Sequence, residues 1–250
     1  MKLYEAMGIS PAHKECVAVV GAGGKTSTMY RLSGELRYVG QKVVITTTTK
    51  IYMPDSSSYD DIIISADKDK CLDFAAKSFS PGSYAVGKSI LPDNKVEGLD
   101  RNLICKMFES AGISHIIVEA DGAKCKPLKA PAGHEPVIPQ CATVVVGVIG
   151  LDAVGKEINS ENIHRVEKFC EICNCSIGET VNTDMLAALI RHPGGLFKST
   201  PPSCRRVVML NKAEGMERIE AANKIKKEIL AYGDVEVLIT SFIGEECIIE

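Results

Sequence analysis

Val19-Val20-Gly21-Ala22-Gly23-Gly24-Lys25-Thr26-Ser27 joins an apolar run to a helical pattern, and that junction decides the fold. The run from Cys16 to Val20 reads as a buried strand that breaks at glycines. Met29, Leu32, Leu36 and Val39 then recur at spacings of three and four, and Gly40 stands where a helix would stop. Strand, glycine-rich turn, Lys-Thr and helix is the context that a phosphate-binding loop requires. Glycines let backbone N–H groups curl around phosphate oxygens, and the helix N-terminus adds partial positive charge. Gly21, Ala22, Gly23, Gly24, Lys25, Thr26 and Ser27 are therefore the expected phosphate cradle. Lys25 is expected at the loop surface, its charge serving phosphate, and Thr26 is expected to ligate Mg²⁺. The full pattern G-x-x-x-x-G-K-[ST] wants glycine where this chain has Val19, so the loop is better written G-x-G-G-K-T. The bland alternative is an ordinary glycine-rich turn.

The remaining chain supplies an α/β alternation around this junction. At 250 residues, with 45% apolar residues and no Trp, one large α/β domain or a domain with an insertion fits. A net charge of −3 gives no nucleic-acid footprint. MKLYEAMGIS lacks the apolar core of a signal peptide, and the longest apolar stretch, Ala142 to Leu151, is too short to span a bilayer. A soluble cytoplasmic protein, with no membrane and no nucleic acid among its partners, is the expectation. Ten cysteines without a secretory signal read as thiols, most of them small hydrophobes (Cys16, Cys105, Cys204). Cys170-x-x-Cys173-x-Cys175 stands apart, as three thiolates for a soft metal or as a helix end that tolerates cysteine.

Gln41 to Thr49 reads as a second strand ending in four threonines. Ligands of an open parallel sheet sit beyond the carboxyl ends of its strands. One of these hydroxyls is placed to reach a γ-phosphate or its Mg²⁺, and Thr48 is the candidate. Asp61 to Ser65 reads as a strand, Asp67 to Phe79 as a helix, Ser83 to Gly87 as a strand, and the stretch with Pro92 and Gly98 as a loop. Asp100 caps a helix with Leu103, Ile104, Met107 and Ala111 on its apolar stripe. His115 to Val118 is a strand of the doubly buried kind, and it ends in Glu119-Ala120-Asp121-Gly122. The two carboxylates, two residues apart, point the same way if the chain stays extended. They are candidates to hold Mg²⁺ and position a water, with Lys25 as the third catalytic candidate. The segment from Lys124 to Pro139 has three lysines and four prolines, an extended strip that either holds an anion or is solvated.

Thr143 to Gly150 is a further buried strand. Residues 151–204 read as a helical insertion, with one helix through His164, Val166 and Phe169 and a second capped by Thr183. Arg206 to Leu210 resumes the sheet, a helix follows with Met216, Ile219, Ala222, Ile225 and Ile229 inward, and Val235 to Ile239 is the last strand. The expected fold is an α/β, P-loop NTPase-like three-layer domain over residues 1–250. It has a mainly parallel sheet and the insertion at about 151–204.

The order of parts resembles a G-protein-type NTPase, in which Asn-Lys-x-Asp after a later strand reads guanine. The resemblance implies that role for Asn211, Lys212 and Glu214, with Glu one methylene longer than the family's Asp. A closer likeness covers nearly the whole chain. VGAGGKTS, TTTTKIY, EADGAKCKPLKAP, HEPVIP, VIGLDAVGK, HPGGLFKSTPP and RRVVMLNKAE together resemble the YqeC family, accessory proteins for selenium-dependent molybdenum hydroxylases. The resemblance implies ATP or GTP with Mg²⁺ as cofactors, turnover that serves maturation of a selenium-containing molybdenum cofactor, and a hydroxylase client as partner. Two rivals stand beside it. One is a phosphotransferase or nucleotidyltransferase acting on a small anion held by Lys126, Lys129 and the 192–206 loop. The other is a non-hydrolytic nucleotide sensor that carries selenium on a thiol.

Overall fold

Eight short runs, most of them rich in Val and Ile, lie side by side in a computed structural model of the chain, which describes residues 1–77, 80–231, 233 and 235–243. The order begins α1 (Leu3–Ala6), β1 (Glu15–Gly21), α2 (Lys25–Tyr38), β2 (Lys42–Thr47), β3 (Lys50–Tyr52), β4 (Asp61–Ile64), α3 (Lys68–Ala76) and β5 (Gly82–Gly87). It continues through β6 (Ser89–Leu91), β7 (Lys95–Glu97), α4 (Arg101–Glu109), β8 (His115–Glu119), β9 (Leu128–Lys129) and β10 (Val144–Gly150). The last part holds β11 (Ile163–His164), α5 (Val166–Cys173), α6 (Thr183–Arg191), β12 (Arg205–Asn211), α7 (Met216–Leu230) and β13 (Glu236–Ile239).

The main sheet runs β13-β12-β10-β1-β8-β2-β5-β4, and every pairing in it is parallel. β1 sits between β10 and β8, with Val19 opposite Val146 on one side and Glu119 on the other. The chain leaves β1 toward β2 and returns across it toward β10. The carboxyl end of β1 is therefore the place where the strand order reverses, and a crevice opens at such a point.

Alternation along the strands sorts side chains into two cores. Val17, Val19, Val43, Ile45, Ile117 and Val146 face α1 and α2, packing on Leu3, Met29, Leu32 and Leu36. Ala18, Val20, Val44, Ile116, Val118, Val145 and Val208 face the other way, onto residues of α3 to α7 such as Ile104, Phe169, Leu186 and Ile225. Helices cover both faces, which makes three layers. Glu35 of α2 accepts from the Leu3 and Tyr4 N–H groups, so two donors at the start of α1 find their partner on the neighbouring helix.

Several local expectations need correction. The stretch after β5 is not a plain loop: β6 and β7 join β3 in an antiparallel three-stranded sheet. Asn182, and not Thr183, caps α6, its side chain accepting from Met185 N–H. His164 lies outside α5, in the short parallel pair that β11 makes with β9. Val39, Ala111 and Met216 are exposed, because α2 and α4 end before Val39 and Ala111 and α7 only begins at Met216. Phe79, expected on the α3 stripe, lies outside the described residues.

Candidate nucleotide site

Glycine at positions 21, 23 and 24 is dictated twice over, by backbone and by space. Their φ angles are +91°, +83° and +137°, values that side chains with a Cβ rarely adopt. A Cβ on Gly21 would lie 2.3 Å from Val148 O, one on Gly23 2.3 Å from Gly150 N, and one on Gly24 2.2 Å from Asn211 Nδ2. The loop is thus pressed onto the ends of β10 and β12. Val19 replaces the first glycine of the longer motif because β1 still runs in the sheet there, buried on both sides. The first-turn N–H groups of α2 have no partner inside their own helix, Gly24 at the N-cap offers them no side chain, and Thr26 and Ser27 are exposed.

Lys25 is not at the surface, contrary to the expectation from the motif. It is 5% exposed, and its Nζ donates to Gly21 O at 2.9 Å. Asp121 Oδ1 lies 3.2 Å away and Glu119 Oε1 3.5 Å away. Burial works against its charge, yet Asp121 and then Glu119 hold the ammonium above the ordinary lysine range. Glu119 is raised from the usual carboxylate value, first by burial and then by Asp121, with Lys25 opposing. Its Oε2 accepts from the Thr26 hydroxyl at 3.2 Å. The extended exit of β8 does bring both carboxylates to one lysine.

Asp121 Oδ2 accepts from Gly21 N–H at 3.1 Å and lies 2.9 Å from Lys129 Nζ. Lys129 also donates to Gly122 O and to Glu135 Oε2, and Glu135 pairs with Arg165 at 2.6 Å. Lys129 belongs neither to a solvated strip nor to an anion holder: its side chain is almost fully buried and neutralises two acids. Burial works against Glu135's charge, but Arg165 and Lys129 hold its carboxyl down at about 2. The chain Lys25–Asp121–Lys129–Glu135–Arg165 alternates in sign from the loop to the start of α5. Motif reading singled out neither Glu135 nor Arg165. An available signal was Lys129 set between Leu128 and Ala130, a lysine flanked by apolar residues.

The other site candidates fall into two groups. Asn211 Nδ2 donates to Gly23 O at 2.9 Å, and its Oδ1 accepts from Thr240 at 3.1 Å, so this buried amide holds the loop. Lys212, at φ +63°, pairs with Asp152 at 2.8 Å. Glu214 accepts from Ser241 Oγ at 2.8 Å and from Arg218 Nη1 at 2.7 Å. A cleft of about 410 Å³ lined by residues 214–218 opens beside it. Thr48 donates to Val137 O at 2.8 Å, and Thr47 donates to Glu119 O at 2.8 Å, so these hydroxyls brace the strand ends around the acids.

The residues present fit Mg²⁺. Thr26 Oγ1 and the Glu119 carboxylate are adjacent, and Asp121 Oδ1, buried beside them, has Lys25 Nζ at 3.2 Å as its neighbour. Hard oxygens in that number suit a cation that takes one or two carboxylates and fills its shell with phosphate and water. Among the described residues no group of three or more His, Cys, Asp or Glu is arranged to hold a metal. That includes Cys170, Cys173 and Cys175. Cys173 donates to Met185 O, and burial pushes Cys173 and Cys175 up to about 12, far from thiolate chemistry.

Residues 17–167 match the family described as YqeC protein. An uncharacterized protein YqeC of Escherichia coli (strain K12) is 34% identical over 222 residues, which cover 89% of this chain and 85% of that relative. The matched family region contains the glycine loop, the four threonines, Glu119, Asp121, Lys129 and Glu135.

Proposed function

The chain belongs to the YqeC family, and we propose that it binds a Mg²⁺–nucleoside triphosphate on the 21–27 loop and hydrolyses it slowly. The observation that carries this reading is Lys25. An ammonium at the first turn of a helix, behind three glycines of positive φ, is held against two strand-end carboxylates. A structural ion pair alone gives no reason for the glycines or for the exposed Thr26 and Ser27 beside it.

Arriving phosphate competes with Gly21 O for Lys25 Nζ, and the amides of the loop and first turn receive its oxygens. Thr26, with Glu119 or Asp121, would hold Mg²⁺, which supplies charge neutralisation to the transferring group. Glu119, raised in its proton affinity by burial, is suited to take a proton from an attacking water. Asn211 keeps Gly23 in place and so positions the amides. The cleft beside Glu214 and Met216 is where the base would lie, and the resemblance in Asn211, Lys212 and Glu214 supports guanine there.

Family resemblance supports an accessory role in maturing a selenium-dependent molybdenum hydroxylase, with turnover as the timing step. A transferase acting on a small anion is less well supported, because Lys129 is committed to Asp121 and Glu135. The test is phosphate release from MgATP and MgGTP, with Glu119→Gln and Asp121→Asn alongside. Both substitutions should lower turnover more than affinity, since metal and water matter most as charge develops on the phosphate. Variants that bind poorly yet turn over normally at saturation would contradict the assignment.

A further inference from the structure

Four thiols from distant parts of the chain meet at the amino-terminal end of the sheet, opposite the nucleotide loop. Cys16 begins the buried part of β1, Cys105 lies on α4, Cys141 just precedes β10, and Cys204 just precedes β12. The sulfurs of Cys16 and Cys141 are 4.0 Å apart. The Cys141 N–H donates to Cys105 Sγ at 3.3 Å, and Cys204 Sγ donates to Ala142 O at 2.8 Å. Cys16 is fully buried, whereas Cys141 and Cys105 are partly open to solvent. Thr143, two residues after Cys141, ties this segment to Cys16: its N–H donates to Cys16 O, and its hydroxyl accepts from Cys16 N–H. The nucleotide chemistry uses none of these groups.

We propose that this cluster is a peroxide-reactive thiol site, in which Cys141 is attacked first and Cys16 resolves it to an intramolecular disulfide. The Cys141 thiolate displaces hydroxide from hydrogen peroxide, forming an S–O bond and breaking the O–O bond. The Cys16 thiol then attacks the sulfenic sulfur, forming the S–S bond and releasing water. Two thiols lose two electrons in all, and the peroxide gains them. A sulfur separation of 4.0 Å closes to bonding distance by side-chain rotation and a shift of Cys141, which lies in the turn three residues before β10 and not in the sheet. Exposure assigns the order, since peroxide reaches Cys141 and not Cys16.

The electrostatics agree with that order. Hydrogen bonding from Cys16, against burial and with help from Cys105, brings Cys141 down to about 7, while Cys105 is pushed up to about 11. The charged and titratable groups facing Cys141 are the thiols of Cys16, Cys105 and Cys204 and the Glu109 carboxylate, which opposes the lowering. A thiolate in part at neutral pH is the reactive form.

The experiment treats the full chain with hydrogen peroxide, caps the remaining thiols, and maps linked and modified peptides by mass spectrometry. The expected product is a Cys16–Cys141 disulfide that a dithiol reverses. Cys16→Ser should stop the reaction at a Cys141 sulfenic acid, trapped by dimedone, and Cys141→Ser should lower Cys16 oxidation by about tenfold or more as its attacking thiolate is lost. Cys105→Ser should leave the Cys16–Cys141 bond intact. Far-UV circular dichroism checks that each variant is folded, and the linked peptide in the unmodified chain carries the decision if one is not. A Cys105–Cys141 bond overturns the proposal, as does consumption of peroxide by Cys125 and other thiols with Cys141 still free.

Discussion

Replacing Lys25 with Ala should unfold the protein more readily in metal-free buffer, well before any nucleotide is considered. The ammonium is buried within 3.5 Å of two buried carboxylates, Glu119 and Asp121. Removing one member of a buried ion pair leaves charge without compensation and costs about 3–5 kcal/mol. Two features pull the cost toward the lower end. Asp121 keeps Lys129 at 2.9 Å and the Gly21 N–H at 3.1 Å, and Glu119 can escape by taking a proton. The pH dependence follows in sign. Glu119 already has a raised value when folded, so its contribution is fully present below the ordinary carboxylate range and is lost as pH rises through the folded value. With Lys25 gone that value rises further, and the variant should lose most stability near neutrality and recover part of it toward pH 5. Urea denaturation of parent and Lys25→Ala from pH 5 to 8 measures this, and Lys25→Ala/Glu119→Gln should regain part of the loss. An unchanged denaturation midpoint for Lys25→Ala at pH 7 would refute the reasoning, because it would mean the acids are not neutralised by this lysine.

Asn211→Ala should cost about 1–3 kcal/mol, the scale for leaving the buried Gly23 carbonyl without its donor, and should weaken nucleotide binding by disordering the loop; thermal denaturation and titration calorimetry together check both. Glu214→Asp should prefer GTP over ATP at least as strongly as the parent, whereas equal competition in both would assign Glu214 to Ser241 and Arg218 alone. Acid should destabilise the fold from an unusually high pH. Burial, then Arg165 and Lys129, hold His164 down at about 4, so stability is full above the free imidazole value near 6.5 and declines toward pH 4. Glu135, at about 2, extends the decline below the free carboxylate value. Urea midpoints for His164→Asn should fall less between pH 6.5 and 4 than those of the parent.

The central sheet was legible because Val17 to Val20, Ile116 to Val118 and Val144 to Val146 are uninterrupted runs that only a doubly covered strand explains. The loop's geometry was legible because glycines between an apolar run and a helical pattern mark a tight strand-to-helix turn, and the pairing of β8 with β1 puts Glu119 beside it. Four features were not legible. The β3-β7-β6 sheet is made of three-residue strands, shorter than any period that alternation can reveal. The depth of Lys25 is set by its neighbours across the sheet, and the motif is silent on those. Lys129, Glu135 and Arg165 are close only because β9 pairs with β11, a contact of two residues at a separation that local sequence does not encode. The four thiols of the 16–141 cluster escaped for the same reason: each looks like a lone small hydrophobe until β1, β10 and β12 lie side by side.

The measurement closest to the central claim is a calorimetric titration of the unmodified chain with ATP and with GTP, each with and without Mg²⁺, repeated with Thr26→Ala. Thr26 is exposed, and among the described residues its side chain bonds to Glu119 alone, so this variant should fold as the parent does. The account predicts one nucleotide per chain, tighter with Mg²⁺ than without it, and a Mg²⁺ advantage that shrinks in Thr26→Ala while metal-free binding is unchanged. Absence of binding by either nucleotide in the presence of Mg²⁺, or a Mg²⁺ advantage that is the same in both proteins, would contradict it.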